Sequence, residues 1–197
     1  MCDAGVRMAA DDRERWNQRW RARENPIDEP SPWLVSLAPL LPSRGRALDV
    51  AGGAGRHAVW LARRGLDVTL VDVSDEGLAL AEGAATAAAV SLGTARADLD
   101  LDPDAVPPGP WDLIVCYLYL DRPLLPRLTA ALAPGGLFVF CQPTLRNLER
   151  HPLPRAAHLI DEGEARSFAR GLEILVYQEG WLEEGRHEAR LVARRSP

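Results

Sequence analysis

The residues best placed to do chemistry fall in one stretch. Ala47-Leu48-Asp49-Val50-Ala51-Gly52-Gly53-Ala54-Gly55-Arg56-His57 carries an apolar run, an acid and a cluster of glycines. Glycines at such a turn let the backbone approach a ligand closely, and a helix starting behind them offers free N–H groups. Asp72 follows seventeen residues after Gly55, at the end of the next apolar run. A carboxylate there can accept hydrogen bonds from both hydroxyls of a ribose. Asp98 stands beyond a third short run, with Leu99 behind it. Asp49 and Asp72 flank the glycine turn, which favours a ligand role over that of ordinary turn acids. The assignment of Asp98 competes with Asp100 and Asp102, which follow it closely.

The elements that must position these residues alternate. Arg46–Val50 reads as a buried strand, Arg56–Arg64 as a helix, Asp67–Val71 as a strand and Asp75–Val90 as an alanine-rich helix. Thr94–Ala97, Trp111–Tyr117 and Gly136–Cys141 read as further strands, with a helix over Pro123–Leu132. This spacing implies parallel pairing with right-handed crossovers. The last part changes character. Residues 143–160 show no clear periodicity, Glu162–Arg170 reads as a helix, and Leu172–Gln178 and Arg186–Ala193 as an antiparallel hairpin. Upstream, residues 1–10 read as a loose tail. A helix is expected from Asp11 to Arg23, capped by Asp11 with Glu14, with Trp16 and Trp20 on one face. Asn25–Pro32 reads as a rigid turn and Trp33–Leu41 as a short apolar helix. The expected fold is α/β, Rossmann-like and doubly wound: a mostly parallel seven-stranded sheet with a C-terminal antiparallel hairpin. Residues 1–30 form a tail and helical lid, and residues 31–197 one domain.

Composition narrows the function. The 197 residues carry a net charge of −5, so no global field draws the chain to nucleic acid or anionic lipid. All 23 basic residues are arginine, which excludes Schiff-base and Walker-type lysine chemistry. Cys2, Cys116 and Cys141 are odd in number and lack metal-ligand spacing, so neither a disulfide framework nor a metal site is expected. With no apolar run long enough for a membrane and no secretory signal, the expected setting is cytoplasmic.

Two ligands fit the glycine frame. Gly53-x-Gly55-x-x-Ala58 satisfies the dinucleotide fingerprint. An acid at Asp49, Asp98 placed for an adenine amino group, the turn Ala133-Pro134-Gly135-Gly136 and the closing hairpin favour S-adenosylmethionine (SAM) instead. On these residues the chain resembles the class I SAM-dependent methyltransferases over nearly all of residues 11–195. Within that class it is similar to the small bacterial tellurite-resistance and thiopurine methyltransferase branch. The pieces that suggest the branch are Trp16-Asn17-Gln18-Arg19-Trp20, Gly55-Arg56-His57-Ala58-Val59-Trp60-Leu61-Ala62 and Gly185-Arg186-His187-Glu188-Ala189.

The resemblance implies roles at matching positions. Gly52, Gly53 and Gly55 face the methionine part of SAM, and Asp49 holds its amino group. Asp72 with Val73 binds the ribose, and Asp98 with Leu99 the adenine. Cys116 and Tyr117 lie near the sulfonium, and Arg19 or Arg56 reaches the carboxylate. Ala51 occupies the first glycine position of the usual motif, a departure that leaves SAM binding expected. The segment holding Trp16, Trp20 and Trp33 is expected to cover SAM.

Other candidates read more plainly. Cys116 and Cys141 suit small core residues better than a catalytic thiol pair. Tyr117 suits pocket lining and Tyr119 packing. His151 and His158 border the region where an acceptor would sit and could act as a base, although surface roles suit them better; His187 reads as structural. No catalytic dyad is evident, which suits a soft sulfur, selenium or tellurium acceptor needing little base catalysis. Cys116-Tyr117-Leu118-Tyr119 is not the signature of amino-group methylation of bases. The expected activity is methyl transfer to a small molecule by a monomer or homodimer. The alternatives are an NAD(P)-dependent oxidoreductase and a SAM-binding module without catalysis.

Overall fold

The computed structural model describes residues 3–23 and 29–197, with side chains from residue 12 onward. Seven strands run in the sheet order β3-β2-β1-β4-β5-β7-β6, the α/β arrangement expected from the alternation. The chain divides into two compact units, residues 1–108 and 109–197.

In the first unit, β1 (Arg46–Val50), β2 (Asp67–Asp72) and β3 (Gly93–Arg96) pair in parallel, with Val50 beside Val71 and Asp72 beside Arg96. A parallel strand covered on both faces needs apolar residues nearly throughout. Ala47, Leu48, Val50, Val68, Leu70 and Val71 meet that need, and all are buried. Helix α3 (Arg56–Arg63) turns Ala58, Val59 and Leu61 into this core. Helix α4 (Asp75–Ala87) starts at Ser74, whose hydroxyl accepts the Gly77 N–H at 3.1 Å, and carries Asp75 and Glu76 in its first turn. A hydroxyl cap and acids at the positive end are what a helix N-terminus favours. Helix α1 (Asp3–Arg21) lies against α4, with Arg21 paired to Glu76 at 2.8 Å. The short α2 spans Pro32–Ser36.

In the second unit, β4 (Trp111–Tyr117) pairs in parallel with β5 (Leu132–Pro143). Strand β7 (His187–Arg194) runs antiparallel between β5 and the edge strand β6 (Glu173–Trp181). Phe138 and Phe140 are fully buried, and Phe140 meets Phe168 edge-on at 5.3 Å. Helix α5 (Leu125–Ala130) and 3₁₀ turns over Leu145–Glu149, Ala156–His158 and Glu164–Ala169 complete the unit.

Several boundaries differ from expectation. Helix α1 begins at Asp3, so residues 3–10 are helical and Asp11 lies within the helix, not at its start; it ends at Arg21. The first half of the Asn25–Pro32 turn, residues 25–28, lies outside the described residues. Helix α4 ends at Ala87, not Val90, and α5 is shorter at both ends. Glu164–Ala169 forms a 3₁₀ turn where an α-helix was expected. Strand β5 absorbs the Pro134-Gly135-Gly136 turn, with Leu132 pairing with Trp111 and the register shifting before Leu113. Residues 144–150, which lack periodicity, are fixed by a buried amide. Asn147 Nδ2 donates to the carbonyls of Thr144 and His187, and its Oδ1 accepts the His187 N–H at 3.2 Å.

Candidate functional site

The first unit brings the glycine turn and two of the predicted acids together. Asp72 is the last residue of β2 and is 8% exposed. Its Oδ2 accepts the Gly53 N–H at 2.8 Å and its Oδ1 the Ser74 N–H at 2.8 Å. One carboxylate thus ties the glycine turn to the start of α4. Each oxygen retains a lone pair beyond these bonds, enough for a diol. Burial pushes the Asp72 carboxyl up, against the pull of N–H groups from Ser74, Gly53 and Val73. Val73 is half-buried between the two anchored residues.

Asp49 sits below the turn in β1, 1% exposed, and its Oδ2 accepts the Ala58 N–H from α3 at 3.1 Å. Burial pushes this carboxyl up to about 7, opposed by the Ala58 bond and the Arg56 charge and aided by Asp72. Gly52 lies so close that a Cβ on it would stand 2.7 Å from Asp49 Oδ2. Ala51, where the motif usually has glycine, adopts φ +52°. A left-handed alanine costs roughly 1–2 kcal/mol, the kind of strain that collects at binding sites.

Gly53 carries φ +57°, and a Cβ there would lie 2.4 Å from Trp20 Cζ2. A Cβ on Gly77 would lie 3.0 Å from Trp20 Nε1. The indole of α1 therefore rests on both glycines, and among the described residues its buried N–H has no hydrogen-bond partner. Asn17, one turn earlier on the same helix, accepts from Ser74 Oγ at 2.6 Å and from the Glu76 N–H at 3.3 Å. Asn17 and Ser74 were not singled out in the sequence. Their signal was there: Asn17 and Trp20 share a face at i,i+3, and Ser74 precedes an acidic first turn.

Other predicted residues take different places. Arg19 is exposed with its guanidinium 4.9 Å from the centre of the Trp16 ring, so among these contacts it is Trp20 and not Arg19 that meets the glycine turn. Asp98 is half-buried and accepts the Leu101 N–H at 3.3 Å, organising its own loop; burial pushes its carboxyl up, and Leu99 behind it is buried. Gly55 opens α3 with φ +78°. In the second unit, Cys116 and Tyr117 close β4. The Cys116 thiol is fully buried, 3.5 Å from the Tyr119 carbonyl. His187 is buried, its Nδ1 2.7 Å from Thr144 Oγ1, as a structural histidine should be. His151 Nε2 meets the Gly185 carbonyl at 2.9 Å, and His158 is exposed.

The chemistry of the donor set fits an adenosyl ligand. A buried carboxylate stands at the end of β2, side-chain-free backbone lies at Gly52 and Gly53, and a second acid sits beneath. The Trp20 N–H, which has no partner among the described residues, adds a donor over the turn.

Replacing Gly53 with alanine should lower SAM affinity about tenfold, because the new methyl drives the Trp20 ring off the turn and strains a left-handed residue. Calorimetric titration reads the loss. Adding Trp20→Ala should relieve the clash and leave only the backbone strain, seen as partial recovery of thermal stability. Unchanged affinity in the single variant would take the turn out of the binding site.

Comparison with known proteins agrees with this geometry. The methyltransferase-domain family matches residues 18–176. YqeM of Bacillus subtilis (strain 168), which carries a methyltransferase name, is 39% identical over 57 residues, 29% of this chain and 22% of that protein's length. Among solved structures, one concerning conversion of a disulfide bond into a thioacetal group during echinomycin biosynthesis is similar with a TM-score of 0.69 and 21% identity, covering 93% of both chains. A TehB-like SAM-dependent methyltransferase from Corynebacterium glutamicum gives a TM-score of 0.66 and 20% identity, over 95% of this chain and all (100%) of that one. The family match decides against the dinucleotide alternative: the chain belongs to the methyltransferase-domain family, of the class I kind whose cofactor is SAM.

Proposed function

We propose that this protein transfers the methyl group of SAM to a small-molecule acceptor with a soft nucleophilic atom, sulfur, selenium or tellurium. The observation that carries the reading is the double tie of Asp72 to Gly53 and Ser74, which holds a diol-binding carboxylate against the glycine turn. When bound, SAM supplies a methyl group already activated on a sulfonium, ready for in-line displacement. The work left to the protein is alignment and exclusion of water. Asp72 holds the ribose, Asp49 the ammonium, and Asp98 with the Leu99 backbone the adenine. Helix α1 acts as the lid, with Trp20 shielding the turn.

The soft acceptor is supported by what the rim of β4 carries. Cys116 and Tyr117 close that strand, and a soft acceptor such as a thiolate needs no proton sink. The structural likeness to the protein associated with disulfide-to-thioacetal conversion points the same way. A macromolecular acceptor is disfavoured by charge: three arginines of α1 are answered by acids, Arg13 by Asp75, Arg15 by Asp12 and Arg21 by Glu76. No helix among the described residues is long and apolar enough to cross a membrane. Cys116 and Cys141 are free thiols, which suits a cytoplasmic setting.

Calorimetric titration with SAM, S-adenosylhomocysteine and NADH tests the cofactor. Micromolar binding of both adenosyl ligands and none of NADH is the expected result; failure of both adenosyl ligands to bind would end the reading. A panel of small thiols against their alcohol and amine analogues, scored by transferred labelled methyl, tests the acceptor. Methylation of alcohols or amines in preference to thiols would overturn the soft-acceptor assignment.

A further inference from the structure

The second unit carries a groove that methyl transfer does not call on. It lies between helix α5 and the 3₁₀ turn over Glu164–Ala169 and has a volume of about 570 Å³, within the range of small-molecule sites. Three of the residues that line it are arginines, Arg122, Arg170 and Arg195. Among the described residues no acid lines it.

The strand register puts an arginine and an apolar bed on one face. Glu173 and Arg194 are paired across β6 and β7, and their side chains meet at 2.7 Å. Side chains alternate along a strand, so Leu172 and Arg195, each one residue further on, turn to the other face. Leu191 lies on that face, and Phe140 is its partner in the ladder. The Phe140 ring braces Phe168 edge-on at 5.3 Å, and Phe168, half-buried, forms the apolar bed with Leu172.

The charges at this groove do not balance. Arg122 is answered: its Nε and Nη2 hold the Glu164 carboxylate, the second bond at 2.9 Å, and Nη2 also donates to the Leu159 carbonyl at 3.1 Å. That grip leaves Nη1 as a donor. Arg195 meets no acid among the described residues. Its Nη1 donates to the carbonyls of Ala130, at 3.0 Å, and Leu132, at the end of α5. These bonds fix the guanidinium and leave its Nε and Nη2 as donors. The Arg170 side chain is exposed and has no partner among the described residues. Elsewhere in this unit Arg146, Arg186 and Arg194 each meet an acid. Two guanidiniums sharing a groove without an acid repel each other, and an anion relieves them.

Two uncompensated charges call for two on the ligand. Guanidinium forks match phosphate oxygens, and a phosphate monoester brings close to two charges at neutral pH. The ring of Phe168 and the Leu172 side chain call for an apolar body beside it. We propose that this groove binds a small phosphate monoester with an apolar or aromatic body, its phosphate held by Arg170 and Arg195 with Nη1 of Arg122, and its body laid on Phe168 and Leu172. The site stands on its own geometry and does not rest on methyl transfer.

Phenyl phosphate tests it. Phenyl sulfate has the same shape with one charge, and inorganic phosphate has the charge without the body. Each is titrated into the full ¹⁵N-labelled chain at one ionic strength, with the backbone amides of residues 167–172 as reporters and those of Gly53 and Ser74 as controls. Phenyl phosphate should bind saturably with Kd on the order of 1 mM or tighter, ordinary for a ligand of this size. Phenyl sulfate and inorganic phosphate should each bind several-fold more weakly. Arg170→Glu removes no contact of the fold, so it should keep the thermal midpoint while weakening phenyl phosphate at least tenfold. Ala130→Glu, at an exposed position on the opposite wall, should do the same by setting an acid against Arg195. No saturable response at residues 167–172, shifts confined to Gly53 and Ser74, equal binding of phenyl sulfate, or binding unchanged in Arg170→Glu would each overturn the proposal.

Discussion

Replacing Asp72 with alanine should weaken SAM binding by at least about tenfold and also lower stability. The binding loss follows from removing the carboxylate that takes the ribose diol. Charge-assisted hydrogen bonds contribute about 1.5–3 kcal/mol each, and 1.4 kcal/mol is a factor of ten. The stability loss has a separate source. Asp72 accepts the N–H groups of Gly53 and Ser74, so the truncation leaves two backbone donors short of a partner. An unsatisfied buried donor costs about 1–3 kcal/mol. Relief of a carboxylate held against burial returns part of this. Asp72→Asn separates the two effects. One amide oxygen still serves one backbone N–H, so this variant should keep more stability than alanine, while its NH₂ group opposes the other N–H and spoils the diol site. Calorimetric titration at a temperature where circular dichroism shows both variants folded reads the affinity. A protein that loses stability but binds SAM as before would reduce Asp72 to a structural tie.

Much of the first unit was legible because its signals are local. Strand β1, the glycine turn and α3 form one continuous pattern, and Asp72 falls where β2 must end to reach α4. The hairpin of β6 and β7 was legible as two strand-like runs with a short connection between them. The start of α1 was not legible for a physical reason. Asp11 with Glu14 makes a plausible cap, but Met8-Ala9-Ala10 before it are strong helix formers, and the helix runs straight through. Arg19 was chosen for its charge, whereas helical phase decides: Asn17 and Trp20 point toward the turn and α4, and Arg19 lies across Trp16 instead. The stretch after β5 carries no periodicity because side chains distant in sequence hold it. Asn147 clamps residues 144 and 187, a tie that no window of neighbouring residues contains.

Asp49→Asn should change the pH dependence of stability strongly between pH 4 and 7. The ordinary carboxyl value is 3.8, and in the fold burial holds Asp49 up to about 7. Between those values the folded chain keeps a proton that the unfolded chain has released. Stability therefore falls as pH climbs from about 4 to about 7, then stays level. The whole effect is on the order of 4 kcal/mol at 1.36 kcal/mol per unit. His57 works in the other direction. Burial and the Arg56 charge push its imidazole down from 6.5 to about 3, so its contribution is full above 6.5 and lost as pH falls toward 3. The two slopes oppose each other in the native protein. Asparagine at position 49 keeps an oxygen for the Ala58 N–H and cannot ionise, while His57 is common to both proteins and cancels in the difference. The stability of the variant minus that of the native chain, from urea unfolding at fixed pH steps, should grow between pH 4 and 7 and level off above. The same titration predicts ligand behaviour. A carboxylate that holds an ammonium must be ionised, so native SAM affinity should rise as pH approaches 7, and the variant should bind weakly with no such rise. Parallel stability curves for the two proteins would mean that Asp49 is ionised throughout the fold, and the rise in SAM affinity would then have to come from another group.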